Sequence, residues 1–513
     1  MNFFRRSKIL FAPVLSLLLF FILNYFAVDQ PVSFMLSITL WMALWWMMET
    51  VHYAVTALLP FFLFPLLNIM DAKATAGSYM DPVIFLFIGG FIIAFAIEKW
   101  GLHRRLALRI LLLSGISPTK ALFGIMICTY FISMWISNTA TAMMMIPAVL
   151  SVIGKVEEEY GSESKKIPSA LLLGLAYAAS IGGTATLVGT PPNMVFAGFY
   201  NNHFDGNEPI TFAGWFVFAF PVSFVLLIIA FLLLKRIYFP GIKKKVPVES
   251  SASLSLKKEY ESLGKMSFEE KIVLVCFILA AFLWFFRSDI DIGFFKIFGW
   301  SNIFPDKKFI DDSVVAILMA VILFLIPAKR DKGKMLMGWD DVKKLPFGII
   351  ILFGGGFALA KGFEVSGLTV WLSAKLHIFR DMPYFILVAG MCAFIVLLSE
   401  FASNTATIQL SLPILMALSK AVNIPPLLVM IPATLAASYS FMLPVGTPPN
   451  TIVFGTGRLT VKEMIKTGFI MDIIGIILVV LAMVVYKADS EHFMFKAKGG
   501  GNNIFIPVAV PYP

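Results

Sequence analysis

Long uncharged stretches alternate with short basic segments along nearly the whole chain. Apolar runs near residues 9–28, 33–50, 52–70 and 82–100 approach the about 20 residues a helix needs to cross a hydrocarbon core of ~30 Å. The next run, Ala121–Ile153, is interrupted at Ser137–Thr139 and flanked by Arg109, Lys120 and Lys155. Each of its arms, about 15–18 residues or roughly 22–27 Å at 1.5 Å per residue, is short for a full crossing. Short arms with basic residues at both ends predict a re-entrant hairpin with its tip at Asn138. Five further crossings are expected near 168–200, 210–236, 270–286, 311–327 and 345–363. A second interrupted run, Pro383–Ser419, then has its tip at Asn404, and the last crossings fall near 425–455 and 468–486. The pattern predicts an all-α polytopic membrane protein of about eleven transmembrane helices and two re-entrant hairpins.

The two interrupted runs are copies. Ser137-Asn138-Thr139-Ala140-Thr141 returns as Ser403-Asn404-Thr405-Ala406-Thr407, with Pro147 and Pro413 at the same later position. Gly189-Thr190-Pro191-Pro192-Asn193 returns as Gly446-Thr447-Pro448-Pro449-Asn450. Leu86–Phe91 resembles Leu352–Phe357, and Glu98 and Gly101 precede the first tip as Glu364 and Gly367 precede the second. An odd number of crossings separates the hairpins, so the second enters from the opposite face, which makes an inverted-topology repeat. The expected organisation is N-terminal helices over 1–81, a first repeat over 82–240 with hairpin 119–155 and broken helix 168–200, and a cytoplasmic linker over 241–270. A second repeat over 271–487 follows, with hairpin 383–420 and broken helix 425–455, and then a tail over 488–513. The end of that tail, Gly499–Pro513, reads as unstructured or added for expression.

Composition supports this picture: of 513 residues, 59% are hydrophobic and 14% charged. A net charge of +10 would suggest nucleic acid in a soluble protein, but the basic residues gather in alternate loops: 104–109, 155–166, 235–271, 329–344 and 458–466. Basic loops face the cytoplasm, which places the N-terminus inside and the C-terminus outside a plasma or bacterial inner membrane. Arg5, Arg6 and Lys8 precede an apolar run with no small-residue cleavage site, so it reads as a retained helix. Cys128, Cys276 and Cys392 have no metal or redox spacing and read as buried thiols. The five histidines show no ligand spacing, no metal-binding acid pairs lie at membrane depth, and no GxxxxGK[ST] loop is present. These features count against an intramembrane enzyme and against ATP as an energy source.

Polar, helix-breaking segments survive inside a bilayer only where protein or a watery cavity surrounds them. Paired interruptions in two halves of a chain point to a transporter's substrate site. A single Ser-Asn-Thr is ordinarily a packing or capping group; duplicated with its flanks, it reads as a binding tip. Hydroxyl and amide oxygens can coordinate a hard cation and the same groups can donate to an anion. The helix beginning at each tip presents free N–H groups and a positive dipole end to a carboxylate. The Pro-Pro steps leave upstream carbonyls without helical partners, which suits Na⁺. Ser133 and Ser399, four residues before Ser137 and Ser403, face the same way at helical spacing and add a cation ligand to each half. Two cation sites flanking one anion site follow from the symmetry. Intramembrane acids are costly: Glu49 and Glu98 read as solvated crossing ends. Glu400, beside the second tip, reads either as a structural hydrogen-bonding group or as one that tunes the site or carries protons.

With both tips, both Thr-Pro-Pro-Asn blocks, Gly182–Thr184 and the segment Trp45–Pro60, the chain up to about residue 487 resembles the divalent anion/sodium symporters. These include the solute carrier family 13 dicarboxylate and citrate carriers. The resemblance implies a homodimer whose scaffold, including helices 1–81, holds a transport domain that moves as an elevator. It implies that Asn138, Thr139, Asn404 and Thr405 contact substrate carboxylates, aided by Thr190, Pro191, Thr447 and Pro448. One Na⁺ would be held by Ser133, Ser137, Asn138 and the Gly189 carbonyl, the other by Ser399, Ser403, Asn404 and the Gly446 carbonyl. His52-Tyr53 departs from the Ile-Pro step expected after Glu49-Thr50, which bears on a local helix start.

The expected function is Na⁺-coupled import of C4-dicarboxylates such as succinate, fumarate or malate, with Na⁺ as the co-transported ion and no organic cofactor. Citrate or sulfate symport and Na⁺-independent dicarboxylate exchange are the alternatives on the same scaffold. A channel, from another class, would conduct without saturation.

Overall fold

The computed structural model describes residues 3–114, 117–161, 166–204, 209–240, 251–291 and 296–497. The expected tail segment 499–513 and linker residues 241–250 lie outside these. Among the described residues the regular structure is helical apart from a two-residue antiparallel ladder, β1 (Ile290–Asp291) with β2 (Lys296–Ile297), and a bridge between Pro327 and Met335.

Five helices come first: α1 (Phe3–Tyr25), α2 (Gln30–Met48), α3 (Tyr53–Ala57), α4 (Leu59–Leu66) and α5 (Ala72–Ser78). The expected crossing at 52–70 is thus split in two, because Pro60 has no N–H to continue α3. Helix α3 begins at the residue in doubt: the His52 ring Nδ1 accepts from Ala54 N at 3.3 Å and caps it. The first four of these share a core with three later helices, centred on Met35, Met42, Phe64 and Phe363.

The segment expected to form the first repeat follows as α6 (Pro82–Lys99), α7 (Leu102–Ser114), α8 (Pro118–Ser133), α9 (Asn138–Tyr160), α10 (Ile167–Thr184), α11 (Pro191–His203) and α12 (Phe212–Tyr238). Helix α13 (Ser251–Ser262) lies within the linker. Ser267 and Glu270 form a capping box that starts α14 (Phe268–Phe285) inside the expected linker bounds. Arg105 of α7 pairs with Glu270 at 2.9 Å and donates to the Gly264 and Leu263 carbonyls, so this stretch is pinned to the first repeat.

The remainder comprises α15 (Asp312–Leu325), α16 (Trp339–Val342), α17 (Phe347–Val365), α18 (Leu368–Leu376), α19 (Tyr384–Phe401), α20 (Asn404–Val422), α21 (Leu427–Ala437), α22 (Pro448–Phe454) and α23 (Val461–Ala497). Among the described residues, nine helical segments are long and apolar enough to cross a membrane, three of them the arms Asn138–Glu158, Tyr384–Phe401 and Asn404–Val422. Other expected crossings rest on shorter helices such as Asp312–Leu325 and Leu427–Ala437.

Packing follows the repeat. Helices α8 and α9 touch each other and pack on α10, and α19 and α20 likewise touch and pack on α21. Helix α11 crosses to pack on α20, and α22 crosses to pack on α9, so each half braces the other's hairpin. Every residue of α10 is buried. By contrast, α1 exposes Phe11, Leu17 and Phe21, and α23 exposes Phe469, Ile477 and Leu481. Apolar side chains outward and a polar-lined centre are the pattern of a multi-pass membrane protein.

Candidate functional site

In the first half, α8 ends at Ser133, a short turn follows, and Ser137 caps α9 by accepting from Ala140 N at 3.3 Å. The Ser133 hydroxyl oxygen lies 2.7 Å from Asn138 Oδ1 and 2.7 Å from the Ala179 carbonyl of α10. A hydroxyl has one proton to give, so two of these three converging oxygens face each other as acceptors. Ser133 is wholly buried. Asn138 lies flat against Gly183: a β-carbon there would stand 2.3 Å from Asn138 Oδ1 and 2.9 Å from Nδ2. Only glycine at 183 permits this approach.

Helix α10 stops at Thr184 and α11 starts at Pro191. The carbonyls freed between them are largely answered by protein. Asn193 Nδ2 is directed at the Gly183, Thr184 and Thr186 carbonyls at 3.1, 3.3 and 2.7 Å. Trp215 Nε1 donates to the Thr184 carbonyl at 3.0 Å. Thr186 Oγ1 donates to the Met134 carbonyl and accepts from Gly189 N at 3.1 Å, which ties the break to the hairpin turn.

The second half repeats the cluster and adds to it. Ser399 Oγ lies 2.8 Å from Asn404 Oδ1 and 2.5 Å from the Ala437 carbonyl. Ser440 Oγ stands 3.3 Å from Asn404 Oδ1 and 3.3 Å from the Gly446 carbonyl, linking two of the expected cation ligands. Asn450 Nδ2 bridges the Ser440 and Leu443 carbonyls at 3.0 Å each. Glu400, fully buried, accepts from Met442 N at 2.7 Å and Leu443 N at 2.8 Å. Asp472 of α23 accepts from Phe441 N at 3.2 Å. Glu400 therefore has a structural hydrogen-bonding role: with Asp472 it holds the loop between α21 and α22. Glu49, Glu98 and Glu364 are exposed, and Glu364 pairs with Lys361.

The structure groups Ser133 with Asn138, and Ser399 with Asn404 and Gly446. Ser137 and Ser403 are the residues before α9 and α20, each half-buried, and only Ser137 makes a capping bond. Thr139 and Thr405 occupy the second positions of those helices, half-buried and buried respectively. Thr190 and Thr447 precede α11 and α22 with nearly the same extended backbone, φ −146° and −149°, and neither side chain caps its own helix. Pro191 and Pro448 sit where a missing N–H is harmless. Gly189 is buried beside the Gly183 and Met134 carbonyls.

Asn193 and Asn450 went unassigned in the sequence although both close the repeated block; their signal was there. The Ala179 and Ala437 carbonyls carry no side-chain signal. Ser440, Trp215 and Asp472 lie where the halves differ, so a search for repetition passes over them. No basic side chain contacts either oxygen cluster among the described residues, and none of the clusters is rich enough in His, Cys, Asp and Glu to hold a transition metal. Hydroxyl, amide and carbonyl oxygens suit a hard monovalent cation, and the α9 and α20 N-termini beside them suit an anion.

Comparison with known proteins agrees with this chemistry. The model of the sodium:sulfate symporter transmembrane region matches residues 5–488. The sodium-dependent dicarboxylate transporter SdcS of Staphylococcus saprophyticus is 42% identical over 456 residues, covering 88% of this chain and 85% of that protein. Its namesake in Staphylococcus aureus (strain NCTC 8325) is 40% identical over 503 residues, 94% of each. Two solved structures share the fold at 14% identity. One is Neisseria gonorrhoeae MtrF, described as illuminating a class of antimetabolite efflux pumps, with TM-score 0.52 over 83% of this chain and 84% of that one. The other is the Alcanivorax borkumensis YdaH transporter, with TM-score 0.54 over 83% and 90%. The chain belongs to the sodium:sulfate symporter family, the divalent anion/sodium symporters that its repeated motifs resemble.

Proposed function

We propose that this protein is a Na⁺-coupled importer of C4-dicarboxylates such as succinate, fumarate and malate. The observation that carries the reading is the duplicated oxygen cluster, Ser133–Asn138–Ala179 and Ser399–Asn404–Ala437, in which acceptors outnumber protons. Curated relatives at about 40% identity named as sodium-dependent dicarboxylate transporters support the choice of ion and substrate class.

Each cluster takes one Na⁺: Ser133, Ser137, Asn138 and the Gly189 carbonyl in one half, and Ser399, Ser403, Asn404 and the Gly446 carbonyl in the other. The dianion lies between them against Asn138, Thr139, Asn404 and Thr405, with Thr190, Pro191, Thr447 and Pro448 completing the wall. No lysine or arginine is needed, since two bound cations and the α9 and α20 N-termini neutralise two carboxylates. The ion is cargo and positive electrostatics at once, so substrate binds well only to the Na⁺-loaded protein. Moving a dianion inward against 100 mV costs about 4.6 kcal/mol at ~2.3 per charge, and two Na⁺ cancel that charge.

The remaining features follow the family pattern. The paired helices α8–α9 and α19–α20 are re-entrant from opposite faces of the membrane. The repeats form a transport body that moves as an elevator against a scaffold containing the N-terminal helices, in a homodimer with cytoplasmic N-termini.

Uptake of labelled succinate into proteoliposomes tests the reading. It should require an inward Na⁺ gradient and collapse in Asn138→Ala and Asn404→Ala. Na⁺-independent uptake would refute symport, and uptake only into dicarboxylate-loaded vesicles would make the protein an exchanger. Stronger competition by citrate or sulfate than by fumarate would reassign the substrate.

A further inference from the structure

The two cation clusters are not equal. The offset that carries Asn193 onto Asn450 carries Gly183 onto Ser440, so the positions facing Asn138 and Asn404 hold different residues. In the first half Gly183 offers Asn138 only a flat surface. In the second, Ser440 places a hydroxyl oxygen 3.3 Å from Asn404 Oδ1 and 3.3 Å from the Gly446 carbonyl, and the residue is wholly buried.

The proton count shows what that hydroxyl is placed to do. Ser399 Oγ, Asn404 Oδ1 and the Ala437 carbonyl already share a single hydroxyl proton. Ser440 adds one proton and one oxygen beside a further acceptor, the Gly446 carbonyl. At 3.3 Å from both neighbours it is a long partner to each, in contrast to the short contacts of Ser399. A hydroxyl at the margin of hydrogen-bonding distance from two acceptors that face it gains more from a cation between the three oxygens than from either bond. The carbonyl of Ser440 is engaged by Asn450 Nδ2 and the neighbouring N–H groups by Glu400 and Asp472, so the backbone that aims this side chain is fixed from three sides.

We propose that Ser440 Oγ is an additional ligand of the second Na⁺ site, without counterpart in the first, and that it makes the second site the tighter of the two. The inference rests on the Na⁺-coupled reading above and deepens it: the sites fill in order, the Asn404 site before the Asn138 site. An added neutral oxygen replaces a water that a less complete shell would have to retain.

The test measures Na⁺-dependent thermal stabilisation of purified protein in detergent, with choline as the replacement cation and no dicarboxylate, beside Na⁺ activation of succinate uptake. Ser440→Ala should raise the Na⁺ concentration for half-maximal stabilisation and uptake roughly tenfold, the loss of about one hydrogen bond to a charge. Melting in choline should stay at the wild-type value, which a merely structural hydroxyl would not allow. Ser440→Thr should restore Na⁺ affinity. If Ser440→Ala is not recovered folded, Ser440→Cys carries the same expectation, since thiol sulfur is a poor ligand for a hard cation. Wild-type Na⁺ titrations in Ser440→Ala or Ser440→Cys, or a Thr variant as weak as Ala, would overturn the proposal. A wild-type protein that Na⁺ neither stabilises nor activates would instead overturn the symport reading beneath it.

Discussion

Replacing Gly183 by alanine adds one methyl group at the point where the first hairpin tip meets α10. Its β-carbon would lie 2.3 Å from Asn138 Oδ1, 2.9 Å from Nδ2 and 3.0 Å from Cγ, where ordinary contact begins at 3.4 Å. Helix backbone fixes the methyl, so the carboxamide must retreat by about an ångström, which breaks the 2.7 Å contact with Ser133. A hydrogen bond to a charged group contributes about 1.5–3 kcal/mol, so Na⁺ affinity at this site should fall roughly 10- to 100-fold. Gly183 lies within α10 with no positive φ, so alanine should favour the helix by about 0.5–1 kcal/mol. Overpacking costs about 1–3 kcal/mol, so melting in choline should fall only modestly while the Na⁺-dependent rise is weakened. Gly390→Ala on α19, where an added β-carbon meets nothing within 4 Å, is the matched control. Na⁺ activation of succinate uptake and Na⁺-dependent melting report both variants. If Gly183→Ala follows the wild-type Na⁺ curve, Asn138 is not held as a ligand and the assignment of the first cation site is wrong.

Glu400→Ala strands two half-buried N–H groups, each costing up to about 1–3 kcal/mol, and should lower the melting temperature even without Na⁺; Glu400→Gln, keeping one acceptor, should lower it less. An unchanged melting curve for both would remove Glu400 from its loop-holding role. Arg105→Ala leaves Glu270 buried and unpaired, a loss of about 3–5 kcal/mol, and adding Glu270→Ala should recover part of it in the same melting assay. The exposed Arg458–Glu157 pair joins the second half to the first hairpin, yet Arg458→Ala should shift stability by no more than about 1 kcal/mol. Cys128, Cys276 and Cys392 are buried, so maleimide should leave the folded protein unlabelled until detergent denaturation exposes them; rapid labelling of any one would contradict its placement.

The helical, polytopic architecture was legible because a bilayer admits few alternatives to long apolar helices. Both turns at Ser137 and Ser403 were legible from their duplication, as were the breaks before Pro191 and Pro448. Helix lengths were less so: the split at Pro60 and the brevity of α15, capped by Asp311, depend on local chemistry that hydropathy averages away. In the site, repetition pointed to Ser133, Asn138, Ser399 and Asn404, which the fold groups as two clusters. The freed carbonyls proved to be shared with the protein. Asn193 and Asn450 claim several of them, leaving fewer for an ion than the Pro-Pro steps alone suggested.

Trp215 and Asp472 occupy corresponding positions on α12 and α23, but the indole gives a hydrogen to the Thr184 carbonyl while the carboxylate receives one from Phe441 N. The duplicated halves have thus taken opposite polarity at one supporting joint, and each loop is shaped to its own helix. A chimaera with α23 grafted in place of α12 would set an acceptor against an acceptor and leave Asn193 to hold the Thr184 carbonyl alone. At this joint the two halves are therefore not interchangeable parts, although their tips are built from the same residues.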